Sequence, residues 1–198
     1  ATGLSTVDDL GVFLRGRLRT VAPTSAGFAA AACALAGDPE PVWRAWDDAL
    51  SARTPSAALR AASRAQGAAM LRTAVRIWCT PALRALTELG RPQQPLVLGA
   101  ACAAGGGSPT DAAALAVHHL VAGACSAALR LLGLDPLDVA RLHASLAELS
   151  RRVIEDSELD ARLAVSTRDT DLLPAVGAPL PDILAAVHAQ TEVTLFAS

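Results

Sequence analysis

The stretch Arg53-Thr-Pro-Ser-Ala-Ala-Leu-Arg-Ala-Ala-Ser-Arg-Ala-Gln-Gly-Ala-Ala-Met-Leu-Arg-Thr-Ala-Val-Arg-Ile-Trp78 decides the fold class of this chain. Thr54 suits the N-cap position, and Pro55 suits the first helical position, where its missing N–H has no helical partner to lose. Alanine and straight-chain residues, which have the highest helix propensities, fill the stretch that follows. The sequence therefore predicts a long α-helix here.

One face of this predicted helix carries small and polar side chains. Ser63, Gln66 and Gly67 are spaced i, i+3 and i+4, and Arg60 precedes Ser63 on the same face. A glycine inside a helix costs about 1 kcal/mol relative to alanine, so we expect Gly67 to serve close packing. The pattern predicts a seam against another helix or another protein.

The rest of the chain repeats the same helix-start signal. Thr80-Pro81, Ser108-Pro109 and Asp135-Pro136 each place a capping side chain before a proline, and Gly90 and Gly133 mark helix ends. No segment shows sustained strand alternation. We predict a single all-α domain, a helical bundle over 1–198. A capping box at Ser5 and Asp8 opens the first helix, and other helices cover 24–36, 40–51, 94–104 and 180–194, with a connection over 156–179.

The segment 109–132 is a long apolar stretch of the chain. Residues 112–129 contain no Asp, Glu, Lys or Arg, close to the ~18 residues that a membrane-spanning helix needs. The run is mostly alanine, however, and holds two histidines, both of which disfavour membrane insertion. We predict a buried, alanine-rich helix at the centre of the bundle.

Composition excludes several classes of function. Hydrophobic residues make up 52% of the chain but aromatic residues only 3%, and the net charge of −2 provides no basic field for nucleic acid or an anionic membrane. The four cysteines are scattered, which is typical of reduced thiols in a cytoplasmic protein. We also expect no secretion signal.

A metal site has only weak candidates. His118 and His119 are adjacent, so on a helix they point about 100° apart, and the i, i+4 spacing that favours shared ligation is absent. Cys125 lies two turns after His118 on roughly the same face. A packing or interface role is the stronger interpretation for both histidines.

Nucleophilic catalysis has equally little support. Ser63 has no His or acid near it in sequence, and the Gly105-Gly106-Gly107 run after Cys102 lacks the lysine of a phosphate-binding loop. The acidic run of 155–160 follows Arg151 and Arg152, so we expect self-paired charges at a helix end, with a docking surface for a basic partner as the alternative. We predict no catalytic residue and no stably bound cofactor.

The last residues, His188 to Ser198, are unusually apolar for a chain end. Leu195 and Phe196 lie close to the terminus, where frayed and polar residues are the norm. Such a tail either packs into its own core or is held by a partner, and the residues leave both alternatives open.

Several of these segments together resemble the UreF family of urease accessory proteins. Arg60, Ala62-Ser63 and Gly67 are similar to the family's central Arg-x-Ala-Ser-x-x-x-Gly helix. Leu98-Gly99, the 128–136 segment and the closing residues 188–198 resemble its later motifs. Two positions depart from the closing motif: Ala189 replaces a usual Glu, and Thr194 replaces a frequent Arg.

The resemblance implies an all-α cytoplasmic adaptor rather than an enzyme. Such proteins bind the accessory protein UreD (UreH), form a platform for the GTPase UreG, and take part in nickel delivery to apo-urease. The 23–28 segment resembles the family's N-terminal Pro-Thr-Gly-Gly-Phe motif but follows a helix, so we expect the chain to lack the family's N-terminal arm. The implied partner interface comprises Arg60, Ser63, Gln66, Gly67, His188, Leu195, Phe196 and Ser198, with a homodimer left open.

Two rival interpretations remain from the residues alone. One is an unrelated all-α ligand-binding or regulatory domain, although only three Trp, three Phe and one Met are available to line a pocket. The other is a small helical enzyme that uses Cys102 or His118.

Overall fold

A computed structural model describes residues 4–38, 42–177 and 183 of the chain, and its elements confirm the predicted all-α class. Within these ranges there is no strand. The described elements are a 3₁₀ turn at Thr170–Leu172 and nine α-helices: α1 (Val7–Arg19), α2 (Val21–Leu35), α3 (Trp43–Ala52), α4 (Ala57–Ile77), α5 (Pro81–Thr87), α6 (Gln94–Ala104), α7 (Pro109–Leu132), α8 (Pro136–Ser145) and α9 (Ala147–Thr167). The predicted helix over 180–194 lies outside the described residues, apart from residue 183.

Local capping chemistry sets most of the helix starts. Thr80, Ser108 and Asp135 each accept a hydrogen bond from a backbone N–H of the first turn, as predicted. The predicted start at Thr54 is wrong by two residues, because Ser56 caps α4 and the Thr54 hydroxyl instead donates to a carbonyl at the end of α3. The N-cap of α4 is therefore the residue whose hydroxyl is not already hydrogen-bonded to the preceding helix.

The first capping box is displaced by one residue from its predicted position. Thr6 and Asp9 form it, rather than Ser5 and Asp8: the Asp9 N–H donates to Thr6 Oγ1, and the Thr6 N–H donates to Asp9 Oδ2. Ser5 donates to the same carboxylate from its own N–H. Four donors, the N–H and hydroxyl groups of Ser5 and Thr6, converge on the Asp9 carboxylate. They hold its pKa below the ordinary value, with the Thr6 hydroxyl as the largest cause.

A buried, alanine-rich helix does lie at the centre of the domain, but it is α2. Ala26, Phe28 and the run 29–32 are fully buried, and α2 packs against α6, α7 and α9. At Gly99, α6 comes so close that a Cβ would lie 2.1 Å from the Ala29 carbonyl oxygen. Because most side chains along α2 are no larger than alanine, with Phe28 and Leu35 as the largest exceptions, three helices can approach it together.

The prediction that 109–132 is the central helix is therefore wrong. In length and composition α7 alone among the described helices could cross a membrane, yet it is an amphipathic helix in this fold. Ala113, Val117 and Val121 face the core, whereas Leu115 and Leu131 are exposed. Burial depends on which faces find partners, which hydropathy alone does not reveal.

The predicted connection over 156–179 is wrong for its first half, because α9 continues to Thr167. Opposite charges pair along this surface helix: Arg151 pairs with Glu148 and Glu155, and Arg162 pairs with Glu158. Of the acidic run, Glu155 and Glu158 are paired, as predicted, whereas Asp156 and Asp160 have no ion pair among the described residues. The run lies within the helix and not at its end. Arg168 then closes α9 in the left-handed conformation with φ of 55°.

Candidate functional site

The backbone of residues 92–94 covers the first half of α4. Gly67 is buried, and a Cβ there would lie 2.1 Å from the Pro92 carbonyl oxygen. Four residues earlier, Ser63 Oγ accepts a hydrogen bond of 3.1 Å from the Gln94 N–H. The predicted seam of small residues therefore exists inside the domain, where it packs α4 against the segment leading into α6.

A buried carboxylate joins this seam to α3. Asp47 Oδ2 lies 2.7 Å from Nη2 of Arg64, and Asp47 Oδ1 accepts from the Gln93 N–H at 2.9 Å. The same Arg64 nitrogen also donates to Ser51 Oγ, which Gln93 Nε2 contacts from the other side. Because the carboxylate is paired and fully hydrogen-bonded, its burial is compensated.

The remaining predicted interface residues have different positions. Arg60 Nη1 donates to the carbonyls of Thr54 and Pro55 at 2.6 and 2.8 Å, so its guanidinium holds the turn before its own helix. Gln66 is exposed. The other four, His188, Leu195, Phe196 and Ser198, lie outside the described residues.

The second half of α4 borders an open apolar groove of about 740 Å³. Its walls are the end of α4, the end of α6 and the first turns of α7. Three large apolar side chains along it are exposed in the described structure: Ile77 at 62%, Trp78 at 41% and Leu115 at 39%. Exposed apolar side chains grouped in one concave surface are typical of an interaction site.

A glycine-rich turn shapes one end of the groove. Gly106 has φ of 85°, a conformation that favours glycine. A Cβ at Gly107 would lie 2.5 Å from Cys102 Sγ, so a larger residue there would have to displace that side chain. Ser108 then caps α7 in a box with Asp111, whose pKa is lowered chiefly by the Ser108 hydroxyl. This confirms the structural interpretation of the glycine run as a turn before a helix cap.

Three histidines lie along or beside this groove without forming a metal centre. His118 and His119 are exposed and line it, and the His118 ring is 6.0 Å from that of His143 on α8. Burial, followed by the charge of His118, lowers the pKa of His119. Cys125 is buried further along α7, and within the described ranges no three His, Cys, Asp or Glu side chains gather to hold a metal ion.

The two candidate nucleophiles have surroundings that do not activate them. Burial raises the pKa of the Cys102 thiol and raises that of the neighbouring Cys33 to about 12, so neither is poised as a thiolate. Ser63 is engaged by the Gln94 N–H. The groove therefore offers contact surface and few polar groups, with Asp111 its one carboxylate among the described lining residues.

Sequence reasoning missed both Asp47 and the groove. Asp47 falls on the same helical face as Trp43, Trp46 and Leu50, all of which are buried. A carboxylate on an apolar face signals a buried ion pair, and this signal was available in the sequence. The groove gave no such signal, because its residues come from three separate helices.

The described fold and site define an all-α domain with a glycine-sealed internal seam beside an open apolar groove. Comparison with known proteins identifies the family to which this chain belongs. The UreF family matches residues 4–147. The urease accessory protein UreF of Mycobacterium sp. (strain JLS) is 38% identical over 204 residues, covering 100% of this chain and 85% of the relative.

Two further relatives carry the same name. UreF of Mycolicibacterium vanbaalenii is 35% identical over 96% of this chain and 81% of the relative, and UreF of Mycobacterium tuberculosis (strain H37Rv) is 34% identical over 100% and 83%. The chain belongs to the UreF family of urease accessory proteins. An unrelated helical ligand-binding domain is thereby excluded.

Proposed function

We propose that this chain is a non-catalytic adaptor in the maturation of urease. It binds a UreD/UreH-like accessory protein and recruits or modulates a UreG-like GTPase in the cytoplasm. The assembly transfers nickel to apo-urease, so nickel is the cargo of the complex and not a cofactor of this chain. Membership of the UreF family supports this role.

The observation that carries the adaptor role is the open groove beside α4. Ile77, Trp78 and Leu115 leave apolar area in water that no described residue covers. Apolar area buried on association contributes about 25 cal/mol per Å², and aromatic side chains such as Trp78 are frequent anchors of protein interfaces. We therefore assign one of the two accessory partners, rather than a nucleic acid or a membrane, to this groove.

The direct test is co-purification of the full chain with the UreD-like and UreG-like proteins of its source. Size-exclusion chromatography with light scattering gives the stoichiometry and also shows whether the chain forms a homodimer alone. We expect a ternary complex that GTP stabilises. A chain that elutes without either partner at micromolar concentrations, with and without GTP, contradicts the adaptor role.

The C-terminal residues give a second test of the same role. We propose that Leu195 and Phe196 anchor the tail to a partner, an assignment that rests on the sequence. Removal of 195–198 should then weaken complex formation at least tenfold while the melting temperature changes by less than about 2 °C. Parallel losses of binding and thermal stability would instead assign the tail to the core.

A further inference from the structure

Two of the four cysteines, Cys33 of α2 and Cys102 of α6, lie side by side although they are distant in the sequence. Their thiols are hydrogen-bonded to each other. One glycine also contacts both of them: Cys33 Sγ lies 3.5 Å from the Gly107 carbonyl oxygen, and a Cβ at Gly107 would lie 2.5 Å from Cys102 Sγ. The fold therefore builds a pair of thiols from two separate helices.

The close approach of α2 and α6 produces this pair. A Cβ at Gly99 of α6 would lie 2.9 Å from the Cys33 backbone nitrogen, so the two helices are in backbone contact at this level. Cys102 follows Gly99 by three residues and therefore lies on the same face of α6. The turn that follows α6 folds back on Cys102, because the Gly107 N–H donates to the Cys102 carbonyl at 2.9 Å. Backbone contacts on both sides thus fix the positions of the two sulfurs.

The atoms around the pair suit a soft metal ion better than a hard one. The charge of the Asp111 carboxylate acts on both thiols, but Asp111 Oδ2 already accepts the Ser108 N–H and hydroxyl at 2.8 and 2.6 Å. The carbonyls of Gly107 and Ser108 accept from the thiols. The pair therefore offers two sulfur ligands. Thiolate sulfur selects soft ions such as Cu(I), whereas hard cations such as Mg²⁺ prefer oxygen.

We propose that Cys33 and Cys102 together bind one Cu(I) ion as a two-coordinate bis-thiolate. Cu(I) has a filled d shell, so two thiolates complete a stable coordination without further ligands. Two Cu–S bonds form, both S–H bonds break, and two protons pass to the solvent. Copper remains Cu(I) throughout, so the step needs no oxidant or reductant. The site is independent of the proposed adaptor role, because this chain alone supplies both ligands.

The open groove gives the ion a route to the pair. Cys102 is partly exposed and lines the groove, whereas Cys33 is only 5% exposed. Burial raises the pKa of both thiols, that of Cys33 to about 12, so the pair is neutral until an ion displaces its protons. We expect Cu(I) to reach Cys102 first and then to take Cys33 as its second ligand.

The test is an anaerobic titration of the reduced full chain with Cu(I) held by the chromophore bicinchoninate, whose colour fades as the protein withdraws the ion. The variants at the pair are C102S and C33A. The matched controls are C79S, which removes an exposed thiol, and C125A, which removes a buried one. Thermal melts establish that each variant is folded.

We expect the wild type, C79S and C125A each to withdraw one equivalent of Cu(I), and C102S and C33A to bind it at least about 100-fold more weakly. If C33A does not fold, alkylation of the wild type replaces it: one equivalent of Cu(I) should protect Cys102 from iodoacetamide and leave Cys79 reactive. Binding that C102S leaves intact, binding that C79S or C125A abolishes, or no withdrawal of Cu(I) by the wild type overturns the proposal.

Discussion

The two halves of α4 differ in what covers them, although they belong to one continuous helix. In the first half, Ser63 and Gly67 are small enough for the chain's own backbone to approach and close the surface. In the second half, Met70, Ile77 and Trp78 border a groove that the described residues leave open. The small residues lie where the helix packs against its own domain, whereas a group of exposed, large apolar residues is typical of an interaction site.

The largest expected effect comes from breaking the ion pair that locks the closed half. Asp47→Ala leaves the Gln93 N–H and the partly exposed Arg64 guanidinium without their acceptor, which should cost about 3 kcal/mol of unfolding free energy. Denaturant unfolding measures this loss. The neighbouring Asp48 is exposed, so Asp48→Ala should change stability by less than about 0.5 kcal/mol. Equal effects of the two variants would show that the buried pair does not hold the seam.

The second-largest expected effect on the free energy of unfolding tests the role of glycine in the closed half of α4. Gly67→Ala places a Cβ against the Pro92 carbonyl oxygen, so the backbone must move, and we expect a loss of about 2 kcal/mol. A Cβ at Gly123 of α7 would meet no atom within 4 Å. Gly123→Ala should therefore stabilise the protein by about 0.5–1 kcal/mol through helix propensity. If the unfolding curves of both variants shift in the same direction, close packing of Gly67 against Pro92 does not explain the result.

The smallest effect depends on pH and concerns His119 of α7, which lines the groove beside the open half of α4. Because the pKa of His119 is lowered in the folded state, the neutral imidazole is favoured there. Its contribution to stability is full above the unfolded value of about 6.5 and is lost as the pH falls through the folded pKa. Between pH 7.5 and 5, the wild type should lose about 1–2 °C more in melting temperature than His119→Gln. Parallel melting curves across this range would refute the assignment.

Sequence reasoning predicted the features of the fold that local chemistry fixes. The starts at Thr80, Ser108 and Asp135 depend on a capping side chain and a proline within a few residues, so they were predictable. The choice between Thr54 and Ser56 was not, because the end of α3 uses the Thr54 hydroxyl.

Features fixed by tertiary contacts were predicted less well. Both α2 and α7 are alanine-rich, and only packing decided that α2 lies at the centre while α7 exposes Leu115 and Leu131. The mixture of acids, Thr, Pro and Gly over 156–179 predicts a connection, whereas the i, i+4 pair of Glu158 and Arg162 is typical of the helix that continues to Thr167. At the site, the small face around Gly67 was predictable from helical spacing, whereas the groove required three helices to be placed together.

The most direct test of the account places one charge in the open groove and the same charge on a surface outside it. Ile77 and Leu159 are both 62% exposed, and Leu159 on α9 does not line the groove. Ile77→Asp and Leu159→Asp should both leave the melting temperature within about 2 °C of the wild type. We expect Ile77→Asp to weaken binding of a UreD-like or UreG-like partner roughly 10- to 100-fold, and Leu159→Asp to leave it unchanged. Unaltered binding of both partners by a folded Ile77→Asp variant would contradict the assignment of the groove as a partner site.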